Sequence, residues 1–218
     1  MESIIGKIKT DYSLYTKEVL AEFGTSKKSL FIGIPKETDY QEKRIPLTPN
    51  SVAALVNYGF RISIEKDAGE SSNFSNDEYV NAGADIVYTK EDVFKAEVII
   101  KSGPINPNEI SLLHTNQIVF SPVLLPNQTK NMVKSMMEKR ITAIAFEYVK
   151  GDYNTYPFMR SMSEIAGNYA ILTAAKYLSN EYGSGILLGG IAGQPPAKVL
   201  ILGAGTVGEA AAKAALAL

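Results

Sequence analysis

From residue 30 onward, short apolar runs closed by turn residues alternate with stretches of helical pattern, and that alternation restricts the chain to few architectures. Leu30-Phe31-Ile32-Gly33-Ile34 is stopped by Pro35 and reads as a buried strand. Thr48-Pro49-Asn50-Ser51 then opens a helix whose apolar face is Val52, Leu55 and Val56, ended by Gly59. Further strands are expected at 60–64, 86–88, 97–101, 117–121, 141–146 and 197–202. Helices are expected to open at 74–79 and 89–92, to span 127–139 with Met132, Val133, Met136 and Met137 inward, and to begin at the Ser161/Glu164 capping-box spacing and run to about Tyr182. Strands separated by helices require parallel crossovers, so an α/β fold with a doubly wound parallel sheet is predicted.

Composition narrows the chemistry. The chain has no cysteine and a single histidine, His114, which excludes disulfides, thiolate nucleophiles and cysteine or multi-histidine metal sites. Twenty-two Lys and Arg against 23 Asp and Glu leave a formal charge of -1, which carries no footprint for nucleic acid or an anionic membrane. No apolar run approaches the roughly 20 residues that span a bilayer, and no secretory signal opens the chain. A cytoplasmic protein is therefore expected. Residues 1–29 read as a helical arm with an apolar stripe (Ile4, Ile5, Ile8, Tyr12, Tyr15, Val19, Phe23), packing on its own chain or on a second subunit.

The sharpest motif is Gly203-Ala204-Gly205-Thr206-Val207-Gly208, which follows the apolar run Val199-Leu200-Ile201-Leu202 and precedes an alanine-rich helix. Strand, glycine turn and helix in that order form a dinucleotide-binding fingerprint. Gly203 permits the tight turn, Gly205 lets the backbone approach a pyrophosphate, and Gly208 lets helix and strand pack closely. Amides at the helix start, with Thr206 and Val207 among them, face the phosphates. The acid that would choose between NAD and NADP is expected about 20 residues further on. The last residue, Leu218, falls inside the helix, so the sequence reads as the front part of a longer polypeptide.

Several ordered segments resemble the alanine dehydrogenase and nicotinamide nucleotide transhydrogenase family. They are Ile32-Gly33-Ile34-Pro35-Lys36-Glu37, Arg44-Ile45-Pro46-Leu47-Thr48-Pro49, Gly69-Glu70-Ser71-Ser72-Asn73-Phe74, Ala82-Gly83-Ala84, Met162-Ser163-Glu164-Ile165-Ala166-Gly167 and Pro195-Pro196-Ala197-Lys198-Val199. The resemblance implies a Rossmann-like substrate domain over 30–160, a connecting helix and linker over 161–196, and over 197–218 the start of a second Rossmann domain that binds NAD. It implies that Arg44 binds a 2-oxo acid carboxylate through its guanidinium fork. Lys101 would bind the keto oxygen and act catalytically on the charge that develops there. Ser163, Gly203, Gly205, Thr206, Val207 and Gly208 would contact the cofactor. The implied activity is reversible, NAD-dependent oxidative deamination of L-alanine to pyruvate and ammonia in a homo-oligomer, with the 218-residue chain alone inactive.

One position departs from that pattern. The acid/base histidine of alanine dehydrogenases falls on Leu124, in Pro122-Val123-Leu124-Leu125-Pro126, and His114 reads as a surface turn residue ten positions earlier. Transhydrogenases also lack that histidine, yet their arginine-alanine-glutamine loop has no match in 152–158. Two other readings follow: an NAD(H)-binding component of a transhydrogenase, and a noncatalytic dinucleotide-binding protein.

Overall fold

A computed structural model describes residues 29–39, 41–152 and 155–218. The N-terminal arm, apart from its last residue, lies outside the described residues.

Among the described residues six parallel strands form one sheet: β1 (Phe31–Ile34), β2 (Arg61–Glu65), β3 (Asp85–Val87), β4 (Val98–Ile100), β5 (Ile118–Ser121) and β6 (Thr142–Ala145), in the order β3-β2-β1-β4-β5-β6. The chain starts at the centre, winds to one edge, and returns to β4 on the other side of β1. This is the doubly wound α/β arrangement that the alternation predicts. It places the topological switch point, where open sheets form their binding crevice, between β1 and β4.

Because successive strand residues face opposite sides, the sheet builds two cores. On one face Ile32, Ile34, Ile62, Ile64 and Val98 pack with Val52 of helix α1 (Pro49–Asn57) and Tyr79 of helix α2 (Asn76–Asn81). On the other, Ile99 and Val119 pack with Val93 of helix α3 (Lys90–Val93), the adjoining Phe94, and Ile110 of helix α4 (Pro107–Leu112). Each fully buried side chain of this kind contributes about 1.5–3 kcal/mol. Glycine is required at Gly33, where an added Cβ would lie 2.4 Å from the Val93 carbonyl oxygen.

Helix starts follow local capping chemistry. Ser75 with Glu78 and Asn106 with Glu109 form reciprocal capping boxes, and Thr48, Thr89 and Thr129 each cap a first turn. In helix α5 (Lys130–Glu138), Met132 and Met136 pack on the second core. Met137, expected to point inward, is instead exposed, because the apolar face of α5 is narrower than its run of methionines.

Two long helices follow. Helix α6 (Pro157–Leu178) starts four residues before the expected Ser161, with Pro157 fixing its first turn. Ser161 lies within the helix and its Oγ donates to the Pro157 carbonyl, so the Ser161/Glu164 spacing does not mark a helix start. The helix also stops at Leu178 rather than near Tyr182, capped at Ser179. Helix α7 (Thr206–Leu216) lies against α6 at Gly167, where a Cβ would meet the Val207 carbonyl at 2.4 Å.

The expected strand at 197–202 is not formed. Those residues have no ladder partner, and Leu200 and Leu202 are 85% and 89% exposed. A strand needs a ladder for its backbone groups, and among the described residues this segment has only the bond from the Ala197 amide to the Leu188 carbonyl at 3.1 Å.

Candidate functional site

The crevice at the carboxyl ends of β1 and β4 is built around Lys101, the residue that follows β4. Lys101 is only 2% exposed. Its ammonium donates to Glu109 Oε2 at 2.7 Å and to the Pro104 carbonyl at 3.4 Å, and lies 3.3 Å from Glu37 Oε2. Lys90 Nζ binds the other oxygen of Glu109 at 3.2 Å. Two lysines and two glutamates thus neutralise one another where an isolated charge would be expensive to bury. The cluster also fixes the backbone: Glu37 Oε1 accepts from the Ser102 and Gly103 amides at 2.8 and 3.0 Å.

Arg44 sits on the loop that leads from β1 to α1. Its Nε donates to Glu42 Oε1 at 2.8 Å and its Nη2 to Glu42 Oε2 at 2.5 Å. The Arg44 side chain is 52% exposed while that of Glu42 is 14% exposed. The hydrogen bond from the Arg44 side chain holds the Glu42 carboxyl below its ordinary value, and the same bond holds the guanidinium above its own.

Arg44 and Lys101 line a common cleft of about 310 Å³. Its wall is otherwise mostly apolar, with Phe120, Phe146 and Phe158 packed in tilted and edge-on contacts at centroid separations of 5.6–6.1 Å. Phe158 belongs to α6, so this aromatic cluster docks the start of that helix on the sheet. A second cleft of about 330 Å³ opens on the other side of Lys101 and includes Glu37, Glu42 and Leu124.

Leu124 lies in the turn after β5 with left-handed backbone (φ 46°), unusual for a side chain of its size. Glu147 stabilises that turn. Its Oε1 accepts from the Val123 and Leu124 amides at 2.9 and 2.8 Å, while Oε2 is buried without a hydrogen-bond partner among the described residues. His114 is exposed in the turn before β5, as the sequence predicts.

The glycine turn leads into α7. Gly203 adopts φ 113°, which only glycine takes readily. A Cβ at Gly208 would meet the Gly203 carbonyl oxygen at 2.1 Å, so the close packing expected at this position is present. Gly205 differs. Its backbone is extended (φ -78°, ψ -178°) and a Cβ there would meet no atom of the described residues within 4 Å. No side chain caps α7, which leaves its first amides available. Ser163 and Thr206 line a cleft of about 530 Å³ with Glu147, Arg160 and Glu209.

The structure therefore brings Arg44 and Lys101 to one cleft, and Ser163 and Thr206 to another. Sequence reasoning missed the four carboxylates that order these sites: Glu37, Glu42, Glu109 and Glu147. The Asn106-x-x-Glu109 capping spacing was a readable signal for one of them.

Residues 33–166 match the profile described as alanine dehydrogenase/PNT, N-terminal domain, and residues 170–218 match the corresponding C-terminal domain. An alanine dehydrogenase of Methanococcus maripaludis is 41% identical over 191 residues, covering 87% of this chain and 51% of that protein. The alanine dehydrogenase of Bacillus subtilis is 36% identical over 190 residues, covering 87% and 50%. Among solved structures, an L-alanine dehydrogenase superposes with a TM-score of 0.82 at 37% identity, over 86% of this chain and 52% of that one. A transhydrogenase from Sinorhizobium meliloti gives 0.72 at 27% identity, over 85% and 56%. The chain spans about half the length of the curated relatives it matches.

Proposed function

The chain belongs to the alanine dehydrogenase/PNT family, and from that premise we propose that the full-length protein catalyses reversible, NAD-dependent oxidative deamination of L-alanine to pyruvate and ammonia. The observation that carries this reading is the placement of Arg44 and Lys101, from two separate loops, on one cleft at the sheet's switch point.

In this reading Arg44 binds the substrate carboxylate. Lys101 binds the keto oxygen, which displaces the longest of its three contacts, the 3.4 Å one to the Pro104 carbonyl. Its positive charge then stabilises the oxygen as electron density builds on it. Orientation of the substrate between two fixed cations supplies a further part of the rate.

Bound NAD would supply the hydride acceptor. The residues present fit it: the glycine at Gly205 is required neither by φ nor by protein packing, which leaves close approach of a ligand to account for it. Gly203, Gly205, Thr206, Val207 and Gly208 would hold the pyrophosphate at the start of α7, with Ser163 facing it from α6. The domain limits follow the same assignment: substrate domain over 30–160, connection over 161–196, and nucleotide domain from 197. A cytoplasmic homo-oligomer is the form proposed for the enzyme. Within the described residues no helix is long and apolar enough to cross a membrane.

The test is NADH oxidation by the full-length protein with pyruvate and ammonium, run beside other 2-oxo acids. Ammonium-dependent oxidation of NADH supports the assignment, and none with any 2-oxo acid rejects it. Arg44→Ala should weaken pyruvate binding by about 1.5–3 kcal/mol, the range for a hydrogen bond to a charged group, measured by calorimetry. Gly205→Val should abolish the fluorescence change on NADH binding and leave the circular dichroism spectrum unaltered. Leu124 in place of a histidine favours a second reading, an NAD(H)-binding transhydrogenase component. That reading expects NADH binding without amino acid turnover.

A further inference from the structure

Arg44 carries a resident carboxylate in addition to the one assigned to the substrate, and the way it is held matters. A guanidinium presents two bidentate edges, a side edge formed by Nε and one Nη, and an outer edge formed by both Nη atoms. Glu42 occupies the side edge with both oxygens. It also accepts from the Arg44 backbone amide at 3.0 Å, so one carboxylate fixes both ends of the residue. The intervening Lys43 carbonyl is held in turn by Ser72 Oγ at 2.7 Å. Glu42 faces the cleft that contains Leu124, whereas Arg44 faces the aromatic cleft, and Lys101 is shared by both. The outer edge of Arg44 is left for a second carboxylate.

We propose that Glu42 is a positioning residue that sets Arg44 in the orientation needed to grip the substrate carboxylate with its outer edge. The inference rests on the 2-oxo acid reading given above. An arginine already ordered by Glu42 loses little rotamer freedom when substrate binds, whereas a free one must be immobilised at that moment.

The experiment is steady-state kinetics of the full-length enzyme with pyruvate, ammonium and NADH, comparing Glu42→Gln, Glu42→Ala and Glu42→Asp. Loss of a pre-ordered side chain predicts a pyruvate KM raised up to about tenfold in Glu42→Ala. Glu42→Gln should fall between, because it keeps one acceptor for Nε but offers none to Nη2. Glu42→Asp should recover part of the loss. The kcat and the KM values for ammonium and NADH should stay within about twofold, a split that general destabilisation would not give. The acid rise in pyruvate KM due to protonation of Glu42 should vanish in Glu42→Gln. If Glu42→Ala does not fold, the Gln and Asp variants carry the same comparison. An unchanged pyruvate KM would overturn the proposal. A lowered one would also overturn it, making Glu42 a competitor for Arg44. If no 2-oxo acid supports NADH oxidation by the unaltered enzyme, the functional reading and this inference fall together, whereas turnover by that enzyme with the same pyruvate KM in every variant removes the inference alone.

Discussion

The sheet and the α6–α7 pair use similar apolar sequence to different effect. Val98-Ile99-Ile100 and Val199-Leu200-Ile201-Leu202 are both short aliphatic runs. The first is a central strand paired on both sides, with Ile99 fully buried. The second belongs to no ladder and is largely exposed, with Ile201 alone of the four packed against the cluster around Ile171. An apolar run specifies a strand only where neighbouring strands take its backbone groups and helices cover its side chains.

The largest test of that contrast is a pair of truncations. Ile99→Ala should cost about 2–5 kcal/mol, as for a buried aliphatic residue in a packed core. Leu200→Ala should change stability by less than about 0.5 kcal/mol, because its side chain already faces solvent. Urea unfolding of this chain decides the matter, and a comparable loss at both positions would mean that 197–202 is packed in solution.

Next come the tight glycines. Gly33→Val places a side chain against the Val93 carbonyl between β1 and α3, and Gly167→Val places one against the Val207 carbonyl between α6 and α7. Each should cost about 1–3 kcal/mol. If the two regions unfold independently, the Gly167 variant should lower an α-helical transition and leave sheet unfolding in place. A single shared transition, read by circular dichroism and by tyrosine fluorescence, would show that the two regions are coupled, with the phenylalanine cluster at the α6 start as a contact between them.

These contrasts also show why the sequence was legible in some places and not in others. The doubly wound parallel sheet followed from alternation, because apolar runs between helices leave few ways to cover both faces of a sheet, whereas the strand order came only with the structure. The glycine turn was legible because Gly203 and Gly208 answer to local backbone geometry. Glu37 and Glu147 were not. Glu37 reaches amides 65 and 66 positions away, and Glu147 reaches back 24 and 23. Nothing in their immediate sequence states those partners. Capping spacing was equally ambiguous: Ser75-x-x-Glu78 forms a capping box, but Ser161-x-x-Glu164 lies inside a helix already begun at Pro157. Ser75→Ala should therefore cost about 1 kcal/mol, while Ser161→Ala should be near neutral in the same denaturation assay.

A further effect lies at alkaline pH and belongs to the sheet region. Tyr79 is buried on α2 and its phenol donates to the Leu47 carbonyl at 2.9 Å. Burial, helped by the nearby Glu78 charge, pushes its pKa up from 10.0 to about 12. Because the folded value lies above the unfolded one, the stabilisation linked to the neutral phenol is complete below about pH 10. It is lost as pH climbs through about 12. A spectrophotometric titration of the tyrosines should show one late step, absent in Tyr79→Phe, and sheet stability should decline over the same interval. A late step that survives Tyr79→Phe would assign it to another tyrosine and show that the packing around α2 is more open to water than the buried ring implies.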